Sequence, residues 1–140
     1  MSKIAVVYWT STGNTESMAV AVAEGARVKG AEVELLTAAE FGPERLPAFD
    51  AVAFGCPAMG AETLEESEFE PMFSACAPKL GGKLIALFGS YGWGDGAWIR
   101  DWEETCRKAG AVFACDSVIC NEMPDEAALR QCEALGAALV

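Results

Sequence analysis

Tyr8-Trp9-Thr10-Ser11-Thr12-Gly13-Asn14-Thr15-Glu16 organises the reading of this chain. Ahead of it, Ile4-Ala5-Val6-Val7-Tyr8 is apolar and β-branched enough for a fully buried strand. Behind it, from Glu16 to Val28, Met18 and Val22 recur with small Ala and Gly residues at helical spacing. Between strand and helix lie three threonines, a serine, a glycine and an asparagine, all with short side chains. Their hydroxyls and main-chain N–H groups can converge on one concave space at a helix N-terminus, where first-turn donors lack partners. Such a cradle suits an anion, a phosphate above all. The loop has no Lys or Arg, so it would work through neutral hydrogen bonds and the helix dipole.

A Thr or Asn ahead of a helix is also an ordinary N-cap. Three hydroxyl residues packed around Thr12-Gly13-Asn14 exceed what a cap needs. The loop is not a Walker motif, because the Gly-Lys-Ser/Thr ending is missing, and it is not GxGxxG.

Strand and helix patterns alternate from here on. A strand is predicted over Ala31 to Thr37, near a sheet edge, after the helix stop at Gly30. The stretch Ala38 to Phe49, with Gly42, Pro43 and Pro47, predicts a connection holding at most a short helix. Asp50 to Cys56 reads as a buried strand. Glu68 to Leu80 reads as a helix, with Phe69, Met72, Phe73 and Cys76 at spacings of three and four and Pro71 in its first turn. Gly81-Gly82 turns the chain into a strand over Lys83 to Gly89, followed by a helix from Ala97 to Ala109. A single strand from Ala111 to about Cys120 and a helix from Asp125 to Leu139 complete the series. Alternation of this kind means βαβ units with right-handed crossovers, an α/β doubly wound parallel sheet in one domain over residues 1–140. Ligands in such folds sit at the carboxyl ends of the strands. The loops after strands one, three and four therefore meet.

Composition narrows the chemistry. With 140 residues, 52% of them apolar, the chain can bury one sizeable core. It has no histidine, which excludes His-dependent triads and His general bases. Six cysteines are scattered without a CxxC pair, so no metal site is expected and the thiols are read as small buried hydrophobes. A net charge of −11 argues against nucleic acid and favours partners with a basic face. The N-terminus enters a strand directly and no apolar run is long enough for a bilayer; a soluble, cytoplasmic monomer is expected.

Two later stretches complete a pattern: Cys56-Pro57-Ala58-Met59-Gly60-Ala61-Glu62 and Gly89-Ser90-Tyr91-Gly92-Trp93-Gly94. Together with Thr10-Ser11-Thr12-Gly13-Asn14-Thr15 they resemble the three flavin loops of the flavodoxins, in particular the short-chain clostridial type. The resemblance covers nearly the whole chain. It implies a five-stranded sheet in the order 2-1-3-4-5 within three α/β/α layers. It further implies non-covalently bound FMN and a low-potential one-electron carrier that shuttles between redox enzymes through the semiquinone/hydroquinone couple.

By this resemblance Thr10, Ser11, Thr12, Gly13, Asn14 and Thr15 hold the phosphate. Pro57, Ala58, Met59, Gly60, Ala61 and Glu62 form the loop beside flavin N5. There the Met59–Gly60 peptide would turn over on reduction, and Glu62 would accept from the flavin N3–H. Met59, soft and polarizable, suits one face of the ring. Ala61 stands where many relatives have a polar residue. Ser90, Tyr91 and Gly92 would donate from the main chain to the pyrimidine carbonyls. Trp93, between Gly92 and Gly94, would stack on the outer face. Trp98 and Trp102 are read as core, and Trp9 as a candidate wall at the phosphate end.

Glu62, Glu65, Glu66, Glu68 and Glu70 form an acidic run that by default is a solvated face. Beside a flavin, that charge would oppose addition of the second electron, so neutralising Glu62, Glu65 and Glu66 is expected to raise the second potential. Two other classes fit less well. An NAD(P)H-dependent FMN or quinone reductase would need insertions that this chain is too compact to hold. A receiver domain would need acidic residues where Trp9-Thr10 and Cys56-Pro57 stand. A carrier fits better than an enzyme.

Overall fold

Ile4, Val6 and Tyr8 face one side of the first strand while Ala5 and Val7 face the other, and all five are buried. The computed structural model describes residues 2–60 and 62–140. Its strands are β1 (Lys3–Tyr8), β2 (Glu32–Thr37), β3 (Ala51–Gly55), β4 (Leu84–Tyr91), β5 (Val112–Phe113) and β6 (Val118–Asn121). All pair in parallel, in the order β2-β1-β3-β4-β5, with β6 also on β4. The helices are α1 (Asn14–Val28), α2 (Phe69–Cys76), α3 (Ala97–Lys108) and α4 (Glu126–Ala138).

The expected single fifth strand is two. On β4, Ile85 pairs with Phe113 and Phe88 with Val118, so three steps along β4 oppose five along its partner. The surplus of two residues cannot stay in a ladder, and the segment 114–117 leaves the sheet between the two pieces. Ser117 instead donates its hydroxyl to Glu103 on α3, at 2.6 Å. The fifth position of the 2-1-3-4-5 order is thus filled by two short segments.

Two other boundaries differ from expectation. Ser90 and Tyr91, read as loop, belong to β4, which outruns β3: residues Gly89 to Tyr91 are paired as strand with β6 alone. The helix expected over Glu68 to Leu80 is α2 followed by a 3₁₀ turn at Ala77–Lys79. Pro78 lacks the N–H that would continue the α-helical ladder. The Pro-rich connection holds two 3₁₀ turns, Ala38–Glu40 and Pro43–Ala48.

The sheet separates two cores. On the α2/α3 side, Phe54, Phe69, Phe73 and Trp102 meet edge to face, and Trp98 is buried beside them. On the α1/α4 side the sheet presents Ala51, Ala53 and Ala86, small residues that let helices lie close. There α1 and α4 touch backbone to backbone: a Cβ on Gly25 would lie 2.0 Å from the Glu133 carbonyl oxygen, and one on Gly136 1.9 Å from that of Val22. Cys56, Cys76, Cys106 and Cys132 are fully buried, as expected, whereas Cys115 and Cys120 are half-buried; all six are free. Burial pushes the Cys56, Cys106 and Cys132 thiols up to about 12, so they stay protonated and inert as nucleophiles. Among the described residues no cluster of Cys, Asp or Glu could hold a metal ion, and no helix is long and apolar enough to cross a membrane.

Candidate functional site

The turn into α1 is built on Gly13, whose φ of +94° places it in the left-handed region that glycine alone enters freely. Its N–H donates to Thr10 Oγ1 at 3.0 Å, which curls the loop before the helix starts. No side chain caps α1. The helix therefore points unsatisfied first-turn donors and the positive end of its dipole out of the loop.

Ser11, Thr12 and Asn14 line a cleft of about 480 Å³, well inside the range for cofactor sites. Its other walls are Pro57, Ala58 and Met59 after β3, and Ser90, Tyr91 and Gly92 at the end of β4. Main-chain and side-chain bonds tie the walls together. The Ala58 N–H donates to the Ser90 carbonyl at 3.0 Å, and the buried Trp98 indole donates to the Cys56 carbonyl at 3.1 Å. Thr15 and Ser90, both buried, join through their hydroxyls at 3.1 Å.

The remaining expected residues sit beside the cleft. Thr10 lines a neighbouring hollow with Trp9, whose indole donates to Glu68 at 3.2 Å rather than walling the cleft. Met59 and Thr63 exchange two main-chain hydrogen bonds of 2.9 Å and close a tight turn, with Gly60 at φ +47°. The Met59 carbonyl is thereby held by the Thr63 N–H, which ties down the Met59–Gly60 peptide. Ala61 lies outside the described residues. Glu62, at φ +56°, sends its carboxylate across to the Asp95 N–H at 3.1 Å and lies so close to Gly94 that a Cβ there would be 1.8 Å from it. Trp93 stands 61% exposed next to it, outside the cleft lining.

The acidic run is not uniform. Glu66, Glu68 and Glu70 are exposed, but Glu65 is 6% exposed and caps α2. Its carboxylate accepts from the N–H groups of Ser67, Glu68 and Phe69 at 2.8, 2.7 and 2.9 Å and from the Ser67 hydroxyl. Burial alone would raise its pKa; the four donors outweigh that and hold it at about 2.

Glu122 and Met123, after β6, also line the cleft and escaped the sequence reading. Glu122 is held at φ +56°, and its N–H donates to the Tyr91 carbonyl at 2.7 Å. The rule that ligands gather at strand carboxyl ends applies to the fifth strand position as well, and would have pointed there.

The arrangement is chemically specific. One end offers hydroxyls, amides and a helix N-terminus without any cation; the other is a slot between an apolar turn and a glycine-rich strand end. That donor set fits a phosphorylated, flat ligand. The carboxyl edge of an α/β doubly wound sheet is where this class of protein binds nucleotide-type ligands.

Known proteins place it further. The family model for flavodoxin matches residues 6–136. The flavodoxin of Megasphaera elsdenii is 43% identical over 135 residues, 96% of each chain, and that of Clostridium beijerinckii 46% identical over 122 residues, 87% of this chain and 88% of its own. The solution structure of two-electron reduced Megasphaera elsdenii flavodoxin superposes with a TM-score of 0.90 over 97% of both chains. The chain belongs to the flavodoxin family. Flavodoxins bind FMN and act as low-potential electron carriers rather than enzymes.

Proposed function

We propose that this chain is a cytoplasmic, monomeric flavodoxin that holds FMN in the cleft described above and passes single electrons between redox enzymes with basic docking faces. The cation-free anion cradle at the uncapped α1 N-terminus, facing the slot between Met59 and Tyr91–Gly92, carries this reading. Bound FMN supplies a reversible store of one or two electrons. The loop Thr10 to Thr15 binds its phosphate through neutral donors, and Pro57, Ala58, Ser90, Tyr91 and Gly92 exclude water from the ring. Met59 covers one face. Gly60, Ala61 and Glu62 are the residues that would meet the reacting edge, and the Met59 carbonyl ahead of them is held by the Thr63 N–H. Trp93, exposed beside the cleft, would cover the outer face.

The rim fits such partners. Glu66, Glu68, Asp95 and Glu122 are exposed around it, with Trp93 and Met123 as apolar points among them. Charge steers the encounter while the apolar side chains give contact at the edge of the ring.

An anaerobic reductive titration of the FMN-loaded protein tests the function. Long-wavelength absorbance should grow over the first electron equivalent and fade over the second. Direct bleaching without it would move two-electron enzyme chemistry ahead, and a protein that takes up no FMN would end the reading.

The acidic rim carries a second expectation. A unit charge about 10 Å away, at an effective dielectric of about 40, contributes roughly 0.8 kcal/mol, or about 35 mV for one electron. Glu62→Gln with Glu66→Gln should therefore raise the second reduction potential by some tens of millivolts at low salt, and less at high salt. Glu65 is left intact, because it caps α2. An unchanged potential at low salt would remove the electrostatic account.

A further inference from the structure

Three polar side chains are buried among the described residues: Thr15, Glu65 and Ser90. Glu65 is fully engaged as a cap. Thr15 and Ser90 have only each other. Their oxygens lie 3.1 Å apart, joining the first turn of α1 to the end of β4, and either can be the donor. One contact uses one of the two hydroxyl protons. The other has no acceptor among the described residues, and leaving a buried donor unpaired costs about 1–3 kcal/mol. Ser90 lines the cleft and Thr15 follows the lining residue Asn14, so the cleft is where that proton can find an acceptor.

Which proton is left over depends on the direction of the pair. With Ser90 donating, the Thr15 proton is free for an acceptor in the anion cradle, and Ser90 turns a lone pair to the cleft. With Thr15 donating, Ser90 offers its proton to the cleft and the cradle loses a donor.

Resting on the FMN reading, we infer that Thr15 and Ser90 are a two-position hydroxyl relay that couples the anion cradle to the sugar-and-ring part of the cleft. An anion in the loop fixes Thr15 as donor toward it, and Ser90 then donates to Thr15. Ser90 thereby becomes an acceptor for a ligand hydroxyl, such as those of the flavin's sugar alcohol. Both sites bias one two-state element, which is the physical requirement for coupling. The coupling is reciprocal. It favours phosphorylated flavin beyond the direct phosphate contacts, and makes Thr15 and Ser90 positioning residues for specificity.

The test separates anion from ring. Riboflavin is titrated into apoprotein with and without inorganic phosphate, and the ratio of the two dissociation constants is read. Phosphate should tighten riboflavin about fivefold in the wild type, the scale of one hydroxyl hydrogen bond. Ser90→Ala and Thr15→Val should each bring the ratio near one, and the double variant should change it no further. Thr15→Ser, which keeps the hydroxyl, should retain the wild-type ratio. Should Thr15→Val fail to fold, Ser90→Ala, which removes a single oxygen, decides alone. A wild-type ratio of one, or a wild-type ratio kept in Ser90→Ala, overturns the relay while FMN binding stands. A protein that binds neither FMN nor riboflavin overturns the function itself.

Discussion

Gly136→Ala is expected to lower the unfolding free energy of the apoprotein by about 3 kcal/mol, at the upper end of overpacking effects. The added Cβ would lie 1.9 Å from the Val22 carbonyl oxygen, and that obstacle is backbone, so no rotamer change relieves it. Either α1 and α4 separate or Val22 loses its place in the helix. Separation also opens the layer beneath them, where Ala51, Ala53 and Ala86 were small enough for close approach. Gly25→Ala meets the Glu133 carbonyl from the other helix and should cost a similar amount. The two substitutions share one displacement, so the double variant should cost clearly less than their sum. Urea unfolding measures all three. Apoprotein is the proper state, because bound cofactor would mask the loss by mass action. An additive double variant would mean that the glycines do not act through a common helix separation.

Glu65→Gln should cost about 2–3 kcal/mol at neutral pH, given a buried carboxylate that caps a helix through several charge-assisted bonds. An amide keeps one acceptor oxygen and turns a second group of donors toward the N–H groups of Ser67, Glu68 and Phe69. The effect should depend on pH in a defined direction. The folded carboxyl is held at about 2, below the ordinary unfolded value near 4.3. Its contribution is therefore complete above the unfolded value and is lost as pH falls from about 4.5 toward 2. The gap between wild type and variant should narrow between pH 7 and pH 3 in urea unfolding. A gap that stays constant would assign the loss to packing rather than to charge.

What the sequence disclosed, and what it hid, follows physical lines. The loop at residues 10–15 was legible because six short side chains between a buried strand and a helix admit few uses. The strands were legible from apolar runs, and Trp98 and Trp102 from their helical spacing; both are 2% exposed. The break in the fifth strand was not. Ala114-Cys115-Asp116-Ser117 has no Gly or Pro to mark a break, and only the register against β4 exposes two surplus residues. Glu65 looked like its four glutamate neighbours, because burial depends on where α2 docks and not on local composition. Gly25 and Gly136 signalled small residues, but their meeting is a tertiary fact. Glu122 and Met123 sit in a fourth loop, which the three-loop resemblance left out of view.

The overhang of β4 beyond β3 bears on how the protein is made. Ser90 and Tyr91 owe their ladder to residues 118–121, and Glu122 then fastens to the Tyr91 carbonyl. Synthesis delivers the phosphate loop first, the turn at Met59 later and β6 last. In a chain still short of Val118 the third wall has no strand to lean on. Domains assemble as units once their segments are out. The third wall of the cleft is thus complete only when residues 118–122 are in place beside β4.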